Sequence, residues 1–123
     1  MQRRFSVASF IDHQGNNPVS EYLFDQKNEK DLITLINVIQ RLAYVGQDLL
    51  DTNMAKPIED PLFELRKSRH RIFYARFGSR FVLLSAFFKG TQKTPPAEIQ
   101  IAMDYHQEYT ETGNCQELNF PSL

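Results

Sequence analysis

Residues 63–95 read FELRKSRHRIFYARFGSRFVLLSAFFKGTQKTP, and this stretch decides the fold because it is sheet core and positive charge at once. Leu62 to Lys67 alternates in polarity, Arg69 to Phe77 is apolar on both faces, and Phe81 to Phe88 is a nearly continuous apolar run. Period-two alternation marks strands, and a run that is apolar on both faces belongs in the middle of a sheet. Gly78-Ser79 separates the last two runs with a two-residue hairpin signal, so these strands are expected to be antiparallel neighbours.

The same stretch holds Arg66, Lys67, Arg69, Arg71, Arg76, Arg80, Lys89 and Lys93, eight of the chain's 14 basic residues, against one acid, Glu64. Residues 1–61 carry six basic and nine acidic side chains, and residues 95–123 carry five acids with no Lys or Arg. A net charge of -1 therefore hides a strong separation of charge along the chain. Blocks of one sign speak of partners rather than fold, and this one points to a polyanion.

Working outward, Phe5 to Ile11 reads as a strand that ends in the turn-rich residues 13–17. Asn17-Pro18 supplies a cap and a first-turn proline for a short helix through Tyr22, Leu23 and Phe24. Asn28, with Asp31 three residues on, opens a second helix. There Leu32, Leu35, Ile36, Ile39, Leu42 and Ala43 recur at helical spacing until Gly46. Residues 46–61 read as a loop. Thr94-Pro95-Pro96 caps a last helix with Ile99, Ala102, Met103 and His106 on one face, ending near Gly113. The order strand, helix, helix, three strands, helix predicts an α+β sandwich, its antiparallel sheet covered by helices mostly on one face. Residues 1–113 form the expected single domain, with 114–123 a surface tail.

At 123 residues and 41% hydrophobic content the chain is long enough for one core. No run approaches the roughly 20 apolar residues that cross a bilayer, and MQRRFSVASFID lacks an apolar leader core, so the expected location is cytoplasmic with no membrane partner. Cys115 is alone and reads as a surface thiol. No Cys or His spacing fits zinc, no acid cluster fits magnesium, and no glycine loop cradles a phosphate. No metal or other cofactor is expected.

Alternation puts Arg69, Arg71, Phe73 and Ala75 on one face of their strand and His70, Ile72, Tyr74 and Arg76 on the other. Arg66, ending the preceding strand, is expected to be the cross-strand neighbour of Arg71. Two guanidinium forks on a sheet match phosphate oxygens bidentately; paired with an acid such as Glu64, the same two would be scaffold. Lys89 and Lys93 flank Gly90-Thr91-Gln92 where a buried strand emerges into a loop, a natural place for functional groups on a rigid support. His70 could act as acid, base, phosphate donor or structural histidine, whereas His13 reads as solvated and His106 as a helix-docking residue.

Phe63-Glu64-Leu65-Arg66, Arg71-Ile72-Phe73-Tyr74, Phe88-Lys89-Gly90-Thr91-Gln92-Lys93-Thr94-Pro95 and Glu98-Ile99 with Ala102 follow one another in a telling order. The series resembles the phage-derived HigB-like branch of the RelE/ParE toxin superfamily over residues 60–110. The resemblance implies a small RelE-like α+β fold: an antiparallel sheet, an N-terminal helical hairpin packed on it and a C-terminal helix. It also implies the toxin of a type II toxin-antitoxin pair that cleaves mRNA on the ribosome without a metal, held in check by a helix-turn-helix antitoxin. On that basis Arg66, Arg71, Lys89 and Lys93 are the expected catalytic group, with Lys67, Arg69, His70 and Tyr74 contacting RNA. Where the family commonly carries a second lysine, this chain has Gly90. Two other readings keep the fold, a ParE-like inhibitor of DNA gyrase and a non-catalytic module binding an antitoxin or nucleic acid.

Overall fold

Two asparagines set where the N-terminal helices begin in the computed structural model, which describes residues 3–119. Asn17 Oδ1 accepts from the Ser20 amide at 3.2 Å ahead of α1 (Pro18–Phe24), and Asn28 Oδ1 accepts from the Lys30 amide at 2.9 Å ahead of α2 (Glu29–Val45). Each cap satisfies a donor that the first helical turn leaves unpaired, an effect of about 1 kcal/mol. Gly46 ends α2 at a φ of 65°, and a Cβ there would land in the Phe5 ring.

The strands are β1 (Ser6–Phe10), β2 (Ala55–Glu59), β3 (Leu62–Lys67), β4 (His70–Phe77), β5 (Arg80–Phe88) and β6 (Cys115–Glu117), in the sheet order β2-β3-β4-β5-β1-β6. The antiparallel β4-β5 hairpin forms as expected, with Phe77 paired to Arg80 and Gly78 at a φ of 65° in the turn. Helix α3 (Pro96–Thr112) follows the sheet's central strands and ends at left-handed Gly113.

Four expectations need correction. The sheet is mixed, because β1 lies parallel to β5, Ser6 opposite Arg80 through Ser9 opposite Leu83. Two helices and three strands intervene, so β5 reaches β1 by a long crossover, which permits parallel pairing. Residues 46–61 are a 3-10 turn (Gly46–Asp51) followed by β2, whose Pro57 the sequence pattern took for loop. Pro57 is tolerated because β2 is an edge strand, where a missing N–H need not break a ladder. Part of the expected tail is β6, which pairs antiparallel with β1. Finally, the helices cover both faces. Leu35, Ile39 and Leu42 of α2 pack with Val7, Leu65, Ile72 and Tyr74, while Ala102 and Tyr109 of α3 pack with Phe10, Phe73, Val82 and Leu84. Strands apolar on both faces require that double cover.

Among the described residues no helix is long and apolar enough to cross a membrane.

Candidate functional site

Two loops meet at one end of the sheet. Lys67 pairs with His70, leaving Ser68-Arg69 as a two-residue turn, and Ser68 adopts a φ of 54°. That left-handed conformation costs a residue with a Cβ on the order of 1 kcal/mol. Arg71 holds the turn in place, its Nη1 donating to the Ser68 carbonyl at 2.7 Å and the His70 carbonyl at 2.9 Å. Beside it β5 ends, the Lys89 amide donating to the Arg69 carbonyl at 2.7 Å. The chain then bends through residues 89–95, where Thr91 Oγ1 donates to the Lys93 carbonyl at 2.8 Å.

Arg66 and Arg71 stand opposite each other across β3 and β4, as expected. Glu64, fully buried on the same face, separates their charges. Its Oε1 lies 3.7 Å from Arg66 Nε and 3.5 Å from Arg71 Nε, and its Oε2 accepts from Thr94 Oγ1 at 3.3 Å. Neither Glu64 Oε1 nor Arg71 Nε completes a hydrogen bond, so charge rather than directed bonding holds this pair. Burial pulls the Arg71 guanidinium pKa down from its ordinary value, Glu64 opposes the fall and Arg66 adds to it. An arginine keeps its charge throughout. One carboxylate against two guanidinium groups leaves an excess positive charge. Lys67, Arg69 and Lys89 add to it, with no acidic partner for any of them among the described residues.

These groups line two shallow depressions. One, of about 320 Å³, is walled by Arg69, Arg71 and Lys89 with the backbone turn at residues 90–92. The other, of about 330 Å³, is walled by Arg66, Lys67 and Arg71 with Asn53, Met54 and Ser68. Arg71 is the wall they share. Neither contains an acid in its lining, so the pair forms a cationic seat suited to phosphate oxygens.

The structure thus brings together Arg66, Lys67, Arg69, Arg71 and Lys89. Lys93 is exposed on the same loop, outside either lining. His70 and Tyr74 lie elsewhere, on the face that α1 and α2 cover. His70 is buried with Nδ1 2.6 Å from the Tyr22 hydroxyl and its ring 5.3 Å from that of Phe88. Tyr74 is wholly buried, its hydroxyl donates to Gln47 Oε1 at 3.2 Å, and burial pushes its pKa up. Neither reaches the cationic seat in this arrangement. His13 is exposed with Nδ1 3.1 Å from Glu108 Oε1, and His106 stacks on Phe77 at 5.2 Å, the docking role expected of it.

Three contributors escape sequence reading. Thr94, expected to cap α3, donates to Glu64 instead, and α3 begins without a side-chain cap. Asn53 and Met54 wall the second depression from a segment read as loop. The one sequence signal is Glu64 itself, the sole acid in the basic stretch.

The family model described as "Phage derived protein Gp49-like (DUF891)" matches residues 23–106, more than half of the chain. The chain belongs to this phage-derived, Gp49-like family. It is also HigB-like: it is 35% identical over 91 residues to the "Probable endoribonuclease HigB1" of Mycobacterium tuberculosis, in both strain CDC 1551 / Oshkosh and strain ATCC 25618 / H37Rv. Each alignment covers 71% of this chain and 70% of the relative. The Gp49-like match contains the whole cationic seat, from Asn53 to Gln92.

Proposed function

We propose that this protein is the toxin of a type II toxin-antitoxin pair, a RelE-like endoribonuclease that cuts message on the ribosome at the cationic end of its sheet. The observation carrying this reading is that Arg66 and Arg71, opposite each other on β3 and β4, share one buried carboxylate, while Lys89, just past the end of β5, walls the same depression as Arg71. Similarity to a relative named as a probable endoribonuclease supports the same choice.

In the proposed reaction the ribose 2′-hydroxyl gives up its proton to solvent as its oxygen attacks the neighbouring phosphorus, and the bond to the 5′-oxygen breaks, leaving a 2′,3′-cyclic phosphate and a 5′-hydroxyl. Charge builds on the non-bridging phosphate oxygens as this happens. Prepositioned cations at that point stabilise the transition state more than the ground state. Arg66 and Arg71 take that role, with Glu64 and the turn carbonyls fixing Arg71 so that little reorganisation is needed. Lys89 supplies the amine of the depression it walls with Arg69 and Arg71, and we assign it the proton transfer to the leaving 5′-oxygen. Arg69 and Lys67 hold the flanking backbone, and Lys93 meets RNA beyond the seat.

A small helix-turn-helix antitoxin with an acidic segment would silence the protein by covering this end, charge complementarity speeding its capture. The test is to add the protein to translating ribosomes and map message 5′ ends. New 5′-hydroxyl ends within translated frames are expected. Intact message together with trapped gyrase-DNA complexes would assign the protein to the gyrase-directed class instead.

A further inference from the structure

The cationic surface does not stop at the two depressions. A third, of about 340 Å³, lies against α2 and is walled by Thr34, Asn37, Val38 and Arg41 together with Met54 and Lys67. Met54 and Lys67 also wall the depression at Arg66 and Arg71, so all three are joined edge to edge. Residues 34, 37, 38 and 41 are spaced i, i+3, i+4, i+7, which sets them in one stripe along the helix, about 10 Å long at 1.5 Å per residue. Lys30 continues the stripe one turn earlier, and its carbonyl accepts from Thr34 Oγ1 at 2.8 Å. No acid lines the depression, and Arg41 is exposed with no acidic partner among the described residues.

We infer that this helix-side groove is a second phosphodiester-binding subsite, holding the sugar-phosphate backbone of the same single RNA strand as it leaves the cationic seat past Lys67. The inference rests on the RNA reading of that seat. Arg41 and Lys67 supply charge for phosphates, while Asn37 can donate to phosphate or sugar oxygens and Thr34 can accept from a ribose hydroxyl. The groove carries no aromatic ring for stacking and reads no base, so it contributes affinity without sequence preference.

The test is fluorescence anisotropy with 2′-O-methyl single strands, which cannot be cleaved, of about four and about twelve nucleotides over a salt series, the slope of log affinity against log salt scaling at roughly 0.7 per phosphate contact. Arg41→Gln is expected to weaken binding of the longer strand several-fold and to reduce its salt slope by about 0.7, leaving the shorter strand unchanged. Lys89→Gln should weaken both strands. Equal loss on both strands in Arg41→Gln, or no loss on the longer one while Lys89→Gln weakens both, overturns the subsite and leaves the seat standing. If neither variant alters either strand, the RNA reading itself fails. Arg41 is exposed, and a matching thermal melt verifies that its variant folds.

Discussion

The two ends of the β4-β5 pair carry the same residue types and use them in opposite ways. At the hairpin end, Arg76 donates from Nε to the Gly78 carbonyl at 2.7 Å and lies 5.6 Å from the Phe5 ring and 5.8 Å from the Phe81 ring. Arg80 reaches Ser6 Oγ at 3.5 Å and Cys115 Sγ at 3.4 Å. Their charge is engaged in packing and local bonds. At the other end Arg66 and Arg71 share one carboxylate, and Arg69, Lys67 and Lys89 have none. A basic block in a strand region is therefore two things: a packed end and a cationic end, sorted by which side chains find a partner.

The largest expected effect comes from removing the carboxylate that makes the cationic end tolerable. Glu64→Ala leaves Arg71 buried without its counter-ion and should cost about 3–5 kcal/mol in a denaturant melt. A loss below about 1 kcal/mol, the level of an exposed pair, would mean the two guanidinium groups need no shared anion. Next, Lys89→Ala should reduce RNA cleavage about 100- to 10,000-fold, the range for loss of a proton-transfer group, with an unchanged melt. A rate within a factor of two of the parent removes Lys89 from that role.

Smaller effects sharpen the contrast. Gly90 has open space where a Cβ would stand, so Gly90→Lys should be accommodated and should strengthen RNA binding several-fold at low salt, the gain shrinking as salt rises. Arg76→Ala, at the packed end, should cost about 0.5–1 kcal/mol of stability through its lost ring contacts and leave cleavage untouched. Smallest is a pH effect near the same end. Burial holds the pKa of His106 below its ordinary 6.5, so as the pH falls the unfolded chain takes up this proton first. The stability it gives is full above 6.5 and is lost as the pH falls from there through the depressed folded value. His106→Gln should flatten that part of the stability-pH curve, and an unaltered slope would assign it to another group.

What could be read in advance was local. Asn17, Asn28, Gly46 and the Gly78-Ser79 turn act through their own neighbours, and all four mark boundaries where expected. Strand alternation also put His70 and Tyr74 on the opposite face from Arg71. It could not say that α1 and α2 would bury that face and withdraw both residues from the surface. The parallel β1-β5 pairing and the three-residue β6 are products of long-range pairing, with too little local signal to be seen, whereas β2 pairs with the next strand and was hidden by its polar residues and Pro57. The same holds for the site. Glu64 was visible as a lone acid, but its grip on both arginines depends on β3-β4 register, and Thr94 joins it only once α3 crosses behind the sheet.

The most direct test of where RNA is cut compares two double variants that remove the same charge from opposite ends, Arg66→Gln with Lys89→Gln and Arg76→Gln with Arg80→Gln, in one message-cleavage assay with melts confirming that both fold. Cleavage should be abolished in the first pair and retained in the second. Retained cleavage in the first pair, or equal loss in both, would contradict placing the chemistry at the cationic end of the sheet.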